Sequence, residues 1–404
     1  MFRFWRRMIC IAVVGLAAML GGCLGVVDKV LTPPAFYAAD DHDLVGAPGT
    51  LIRQQPILDA PSGTTAYRLL YRSTGLDGKS IPVSGFIVIP NGPIPAGGRP
   101  VVAWAHPTSG VVPHCAPSEA LSKFDSVQGL NDMVKHGYVV VATDYPGLGT
   151  SEPHPYLVGV SEGRAVLDSV RVARNMPGSN AGPKFIAWGH SQGGQAVLYT
   201  GLLARAYAPD LKLVGVAAAA PATDLATLLA DDFNTVGGKN LTAMTIWSWS
   251  RVFGADINKV VEPQAMPTVD KLANECIESL FDILAREHTE KPLQKTFLSV
   301  SDITKLQPWR SLMTRNTPGA LPPRIPLFIA QGTADGTVRP AVTASYVRSL
   351  CNAGSAVRVN ILPGVSHAFI ARDSAAAAVS WMADRFAGKA APTDCGSSLN
   401  FNKQ

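Results

Sequence analysis

The sequence carries little surplus charge. Its formal net charge at pH 7 is +5 over 404 residues, and Arg3, Arg6 and Arg7 at the extreme N-terminus supply three of those positive charges. A polyanion-binding protein needs a concentrated basic surface, and the remaining surplus is too small to provide one. We therefore expect no nucleic-acid partner.

Metal-ligand spacing and internal repeats are also missing. No two cysteines stand in a C-x-x-C pair and no two histidines in an H-x-x-x-H pair, so no metal site is expected. No segment recurs at a fixed period, which argues against a repeat architecture. Since 47% of the residues are hydrophobic, a chain of this length can bury a large core, and we predict one α/β domain with a substantial insertion.

The N-terminus lacks an apolar run long enough to span a bilayer comfortably. Residues 8–20 are apolar, follow a basic start and end in Leu20-Gly21-Gly22-Cys23. This order indicates an export signal over residues 1–22, and the tetrapeptide resembles a bacterial lipobox that would lipidate Cys23 and anchor the protein in a membrane. The alternative is an ordinary cleaved signal with an incidental cysteine. We expect a cell-envelope lipoprotein or a secreted protein.

Few cysteines follow that signal. Downstream of Cys23 there are four, Cys115, Cys276, Cys351 and Cys395. In an exported protein they are expected to form disulfides, and four cysteines allow three pairings. We favour Cys351 with Cys395, which would tie the C-terminal tail to the helix before the last strand, and Cys115 with Cys276.

A G-x-S-x-G pentapeptide is the most informative motif that is present. Gly189-His190-Ser191-Gln192-Gly193 lies between an apolar run at residues 184–188 and a helix-like stretch at residues 195–208. This strand-turn-helix context is typical of a hydrolase whose serine nucleophile sits on a strained turn, where only glycines avoid collisions. The alternative is a glycine-rich turn with a bystander serine. We predict Ser191 as the nucleophile.

A serine nucleophile needs a histidine base and a carboxylate that orients it. Asp335 follows a predicted buried strand at residues 325–330, and His367 follows the next one at residues 357–362. Serine, acid and histidine thus occur in the order that α/β-hydrolases use. Asp224 and Asp373 are the rival acids.

An oxyanion needs two donors near the serine. The backbone N–H of Gln192 is one candidate, since it opens the helix after Ser191. The second is expected after a predicted strand at residues 100–105, where Pro107 has no N–H and Thr108 is the next residue. We interpret His106 as a structural residue of this loop and Asp144 as a turn anchor.

Strand and helix patterns alternate over most of the chain, which predicts a mostly parallel sheet with helices on both faces. We assign residues 23–46 to an N-terminal tether, residues 47–222 and 321–404 to the two parts of the core, and residues 223–320 to an insertion. The predicted strands cover residues 67–71, 81–89, 100–105, 139–143, 184–188, 213–220, 325–330 and 357–362. The predicted helices of the core cover residues 158–174, 195–208, 340–351 and 374–386.

The insertion is expected to be a helical cap above the carboxyl edge of the sheet. An amphipathic helix is predicted at residues 269–287, with Leu272, Cys276, Leu280 and Leu284 on one face. Four aromatic residues are predicted to supply apolar surface to an acyl pocket, although packing within the cap competes for them. They are Trp247, Trp249, Phe253 and Phe281.

Together these features resemble the secretory lipases of the α/β-hydrolase superfamily. The resemblance rests on the Ser191 pentapeptide, the placement of Asp335 and His367, the helical lid region and a cysteine pair that flanks the histidine loop. It implies an α/β-hydrolase fold and hydrolysis of carboxylic esters, including acylglycerols and other lipid or small-molecule esters, without a cofactor. It gives Ser191, Asp335 and His367 the triad roles, and Thr108 and Gln192 the oxyanion roles.

Other functions remain open from the sequence alone. An aminopeptidase or a polyester hydrolase could use the same fold and triad. An aminopeptidase needs acidic groups for the substrate amine, and Asp231-Asp232 is the one adjacent acidic pair in the insertion. A non-catalytic binding protein on a hydrolase scaffold would lack a triad member, and none is missing.

Overall fold

The structure is a computed structural model that describes residues 35–151, 153–232, 237–397 and Phe401. The predicted signal peptide, Cys23 and the first part of the tether lie outside the described residues. The chain divides at Ala38 into two units. Of the first, a short 3₁₀ helix at Ala35–Tyr37 is described, and everything below concerns the second, which begins at Ala39.

A nine-stranded mixed sheet forms the centre of this unit. Its strands lie in the order β1-β2-β3-β5-β4-β6-β7-β8-β9. The pairs β1–β2, β2–β3 and β3–β5 are antiparallel. The remaining pairs, from β5–β4 to β8–β9, are parallel. The strands are β1 (Leu51–Ile57), β2 (Thr64–Thr74), β3 (Ser80–Pro90), β4 (Arg99–Ala105), β5 (Val139–Thr143), β6 (Ala181–His190), β7 (Lys212–Ala219), β8 (Leu327–Gly332) and β9 (Val357–Leu362).

The central strands are apolar on both faces because both faces are covered. In β4, Val102 and Trp104 enter one core cluster, whereas Val101, Ala103 and Ala105 enter the other. Successive side chains of a strand point to opposite faces, so a strand buried on both sides has no polar position to spare. This explains why β4 to β8 read as continuous apolar runs rather than as alternating patterns.

Helices pack on both faces of the sheet. One face carries α2, α3 and α9, and the other carries α1, α10 and the insertion. Helices of the core are α1 (Leu130–Lys135), α2 (Gly159–Asn175), α3 (Gln192–Tyr207), α9 (Pro340–Asn352) and α10 (Ile370–Phe386). Helices between β7 and β8 are α4 (Leu225–Asp232), α5 (Gly238–Phe253), α6 (Met266–Ala273), α7 (Leu280–Glu290) and α8 (Trp309–Asn316).

The strand order reverses between β4 and β6. The chain passes from β4 to β5 on one side and returns to β6 on the other, so the loops after β4 and β6 leave a crevice at their carboxyl ends. Ligands of open α/β sheets bind at such a switch point. Thr108 follows β4 and Ser191 follows β6.

The prediction of a single helix at residues 269–287 is wrong. Two helices, α6 and α7, replace it, and the segment between them includes Cys276. Contacts from distant parts of the chain break the helix, because Cys276 is bonded to Cys115 and the N–H of Ile277 donates to the carbonyl of Ser109 at 2.7 Å. Ser279 then starts α7 with a capping box.

Two disulfides join the four cysteines in the favoured pairs. Cys115 is bonded to Cys276, and Cys351 to Cys395. The first bond links the loop after β4 to the insertion, and the second links the end of α9 to the C-terminal tail. Their sequence separations are 161 and 44 residues.

Replacing both cysteines of the first pair, Cys115→Ser with Cys276→Ser, is expected to lower the free energy of unfolding by up to roughly 5 kcal/mol, because a long loop of the unfolded chain is no longer closed. Urea denaturation measures the change. The comparison variant, Cys351→Ser with Cys395→Ser, removes the bond that closes the shorter loop and should lose up to roughly 4 kcal/mol. Unchanged midpoints and slopes in both variants would contradict the stabilising role.

Candidate active site

Ser191 occupies a strained turn between β6 and α3. Its backbone has φ 57° and ψ −116°, a conformation that costs a non-glycine residue of order 1–3 kcal/mol. Neighbouring glycines make the turn possible. A Cβ at Gly189 would lie 2.2 Å from the carbonyl oxygen of Gly193, and a Cβ at Gly193 would lie 1.9 Å from that of Ala105.

The structure brings Ser191, His367 and Asp335 together. The Nε2 atom of His367 lies 2.9 Å from the Oγ of Ser191, and its Nδ1 lies 2.8 Å from the Oδ2 of Asp335. The order of hydrogen bonds is therefore serine, imidazole and carboxylate. These are the contacts that a nucleophile, its base and an orienting acid need.

Asp335 is fixed on the loop after β8. Its side chain is fully buried, and its Oδ1 accepts hydrogen bonds from the backbone N–H groups of Thr337 at 2.9 Å and Val338 at 2.8 Å. The other oxygen faces His367. The two rival acids are engaged elsewhere: Asp224 accepts from Thr227, and Asp373 pairs with Arg372.

His190 packs beside the catalytic candidate His367. The ring centroids lie 4.8 Å apart and the planes are inclined by 39°. Burial, together with the nearby His367, lowers the pKa of His190 well below its ordinary value. His190 is therefore an uncharged residue that lines the site.

His106 and Asp144 are structural, as predicted from the sequence. The imidazole of His106 is buried between the carbonyl oxygens of Pro107 and Asp144, and burial lowers its pKa to about 4. The carboxylate of Asp144 accepts hydrogen bonds from Ser84 and Ser118, which anchors the turn after β5.

The two oxyanion candidates lie beside Ser191. Gln192 is the first residue of α3, where backbone N–H groups have no acceptor within the helix and the helix dipole is positive. Thr108 lines the same recess as Ser191 and Gln192. Its hydroxyl lies 2.9 Å from that of Tyr156.

A buried polar network holds the side chain of Gln192. Its amide nitrogen donates to the Oε1 of Glu162 at 2.8 Å and lies 3.2 Å from the Nε2 of His154. The backbone N–H of Leu157 donates to the same Oε1 at 3.0 Å. Burial raises the pKa of Glu162 to about 8, although the hydrogen bonds from Gln192 and Leu157 lower it in part. Burial also lowers the pKa of His154 to about 3.

Two cavities meet at Ser191. A narrow recess of about 40 Å³ is lined mainly by apolar side chains, among them Leu225, Leu228 and Leu229 of α4 and Leu241 of α5. A wider cleft of about 670 Å³ also contains Ser191, together with His367 and polar residues of the core and the insertion. Helices of the insertion therefore form part of both walls.

The four aromatic residues predicted to form the acyl pocket do not line either cavity. Trp249 is fully buried within the insertion and donates to the carbonyl of Tyr156, while the indole of Trp247 donates to Asp270. Phe253 and Phe281 are exposed. Apolar spacing alone did not show which side of each helix faces the site, and leucines of α4 and α5 take that place.

One cluster of possible metal ligands occurs within the described ranges. It consists of His114, Cys115 and Cys276. Both cysteines belong to the same disulfide, so neither offers the thiolate that a metal ion would need. The cluster therefore belongs to the disulfide that links the loop after β4 to the insertion.

The sequence interpretation missed Glu162, His154 and Tyr156. Each is at least 98% buried and acts through partners that are distant in sequence. In the sequence Glu162 is an ordinary first-turn glutamate between Ser161 and Gly163, so no local signal marked its burial.

A family model described as secretory lipase matches residues 124–394, more than half of the chain. The chain belongs to the secretory lipase family. This membership confirms the predicted resemblance and supports an ester hydrolase.

Two similar proteins align with most of this chain. A protein of Mycobacterium tuberculosis named as a probable inactive lipase is 24% identical over 90% of this chain and 82% of its own length. A secreted triacylglycerol lipase of Malassezia restricta is 26% identical over 93% of this chain and 77% of its own length.

The fold of this family member is also confirmed. The crystal structure of Candida antarctica lipase A in its closed state matches with a TM-score of 0.76, at 17% identity, over 92% of this chain and 90% of that one. At that identity the match concerns the fold, which is the α/β-hydrolase fold. No helix in residues 35–151, 153–232 or 237–397 of this secretory lipase has the length and apolar character to cross a membrane.

The pKa of Glu162 predicts a pH-dependent stability. Because it is raised from its ordinary value of 4.5 to about 8, the folded protein holds a proton that the unfolded chain releases between these values. The stabilisation from Glu162 is complete below pH 4.5 and is lost as the pH rises through 8. The glutamine of Glu162→Gln cannot titrate. The Tm of this variant minus the Tm of the parent should therefore increase as the pH rises from about 5 to 9.

Thermal melting at each pH measures this difference. The control is Glu287→Gln, which removes an exposed glutamate of α7 and should give a profile parallel to that of the parent. Parallel profiles for Glu162→Gln as well would contradict the burial of a protonated Glu162.

Proposed function

We propose that this protein is a serine hydrolase that cleaves carboxylic esters through an acyl-enzyme on Ser191. The observation that carries the proposal is the chain of hydrogen bonds from Ser191 through His367 to Asp335. Family membership supports the reaction class. The name of the Malassezia restricta relative points to acylglycerols as one substrate class.

The proposed mechanism follows from the positions of these atoms. As the Oγ of Ser191 attacks the ester carbonyl carbon, the Nε2 of His367 takes its proton, and Asp335 stabilises the resulting imidazolium through Nδ1. The imidazolium then protonates the leaving alcohol as the ester C–O bond breaks. Water attacks the acyl-enzyme with the same histidine as its base and releases the acid.

The tetrahedral intermediates need donors for their oxyanion. We assign the backbone N–H of Gln192 and the loop residue Thr108 to this role, because both lie beside Ser191 in the recess. Such donors lower the barrier because they are already oriented where negative charge develops.

The relative named as a probable inactive lipase makes the non-catalytic alternative a specific one. A binding protein on this scaffold would not need the serine, imidazole and carboxylate in mutual contact. The distances of 2.9 and 2.8 Å therefore favour catalysis by this chain.

The aminopeptidase alternative would need an acidic group at the site. Asp231 of the acidic pair forms an ion pair with Arg339 at 3.2 Å and lies outside the lining of both cavities. Glu278 is an acidic residue on the cleft wall, so amide substrates have to be tested. Aminoacyl p-nitroanilides tested beside esters separate the two activities.

Export is proposed on the signal at residues 1–22. The Malassezia restricta relative is named as secreted, and disulfides are typical of proteins outside the cytoplasm. Membrane anchoring through Cys23 stays a prediction.

Ser191→Ala, His367→Ala and Asp335→Asn are each expected to lower kcat by roughly 10³- to 10⁶-fold, since triad members act as a unit. Ester hydrolysis and labelling by a fluorophosphonate probe measure the effect, and thermal melting shows that each variant folds. Asp224→Asn and Asp373→Asn are the matched controls and should keep their turnover. If Asp224→Asn lost activity while Asp335→Asn kept it, the acid would be misassigned.

The size of the recess predicts a preference for short acyl chains. About 40 Å³ corresponds to roughly three water-sized groups, and each methylene that it buries should raise kcat/KM roughly fourfold. Across p-nitrophenyl esters, kcat/KM should therefore rise from acetate to about butyrate and then level off or fall.

Leu229→Ala, which widens the recess, should move the optimum to longer chains. Leu284→Ala removes an exposed leucine of the same insertion and should leave the profile unchanged. A parent profile that rises steadily to palmitate would place the acyl chain in the wider cleft instead.

A further inference from the structure

Tyr156 reaches the recess from the segment between β5 and α2. Its hydroxyl oxygen lies 2.9 Å from the Oγ1 of Thr108. Both residues line the recess together with Ser191 and Gln192. The phenol is thus one contact away from the place proposed for the oxyanion.

Helix α5 fixes the backbone of Tyr156 on both sides. The N–H of Tyr156 donates to the Oγ of Ser248 at 3.1 Å, and its carbonyl accepts from the indole N–H of Trp249 at 2.8 Å. Ser248 in turn donates to the carbonyl of His154 at 2.6 Å. With only 2% of its surface exposed, Tyr156 has little freedom to turn away from Thr108.

The same short segment also reaches the other oxyanion candidate. Gln192 contacts His154, and Glu162 accepts hydrogen bonds from both Gln192 and the N–H of Leu157. We call residues 154–157 the bridging segment. It contacts Thr108 through Tyr156 and Gln192 through His154.

A threonine hydroxyl has one proton to donate and two lone pairs to accept. If Thr108 donates to Tyr156, its proton is used up. If Tyr156 donates to Thr108, the proton of Thr108 is free to point at a developing oxyanion. A negative charge in the recess favours the second arrangement, because consecutive hydrogen bonds polarise one another in a buried site.

We propose that Tyr156 is a positioning residue of the oxyanion hole: its hydroxyl donates to the Oγ1 of Thr108, so that the Thr108 hydroxyl donates to the oxygen of the tetrahedral intermediate. The inference rests on the proposed function. Protons stay on their own oxygens throughout, and no bond of Tyr156 or Thr108 breaks.

This role differs from simple burial of a phenol. A hydroxyl that only fills its place would affect folding, and its removal would lower stability without a selective loss of turnover. A donor that acts through Thr108 affects the transition state more than the bound substrate. Its effect must also disappear once the Thr108 hydroxyl is gone.

The test is a double-mutant cycle on short-chain p-nitrophenyl esters with Tyr156→Phe, Thr108→Val and the double variant. Tyr156→Phe should lower kcat by about 10- to 100-fold, and Thr108→Val by about 10²- to 10³-fold. KM should change by less than about threefold, because ground-state binding is retained. The double variant should be no slower than Thr108→Val alone.

A boronic acid that forms a tetrahedral adduct with serine supplies a second readout. Its affinity should fall in each variant by a factor similar to that of kcat. Thr108→Ser keeps the hydroxyl and should retain most of the turnover, which also covers a failure of Thr108→Val to fold. Tyr346→Phe removes a buried hydroxyl that donates to the carbonyl of Gly319, and it should leave kcat unchanged.

Each contrary result has a distinct meaning. Unchanged kcat in Tyr156→Phe, or losses that multiply in the double variant, would overturn the inference. Normal turnover of Thr108→Val, with Ser191→Ala inactive, would also overturn it and leave the proposed hydrolase intact. Turnover by Ser191→Ala would instead overturn the proposed function itself.

Discussion

The contact between the turn after β6 and the end of β4 sets the geometry on which the candidate site depends. Gly193 packs so closely on the carbonyl of Ala105 that no Cβ fits between them. This approach brings the Thr108 loop within one recess of Ser191 and Gln192. The parallel pairing of β4 with β6 holds the two backbones in register. The absence of a side chain at Gly193 lets the turn after β6 approach the end of β4.

Buried polar groups connect the loops around Ser191 to other elements of the fold. Asp144 ties the turn after β5 to Ser84 of β3, and Glu162 ties α2 to Gln192 at the start of α3. Groups of this kind are costly to bury and stabilise one arrangement only when their hydrogen bonds are made. They fix the loops around Ser191 more narrowly than apolar packing would.

The elements with local signals could be predicted from the sequence. Strands β5 and β9 were predicted with their observed bounds, because fully buried strands are short apolar runs bounded by turn residues. The turn at Ser191 and the order of Asp335 and His367 were likewise readable, since each follows a recognisable strand. Longer-range features were not. The break between α6 and α7 depends on bonds to Cys115 and Ser109, and the contact between the hydroxyls of Tyr156 and Thr108 joins residues 48 positions apart.

The bond between Cys115 and Cys276 constrains one edge of the cleft. Cys276 is next to Ile277 and Glu278 on the cleft wall, and its Cα lies 5.2 Å from that of Cys115 in the loop after β4. A covalent bond prevents Cys276 from separating from Cys115, so this edge of the insertion stays attached to the loop after β4. The other residues that line the cleft, in the core loops and in the insertion, are not bound by this bond. Oxidation of the two cysteines therefore fixes one edge of the cleft before any substrate binds.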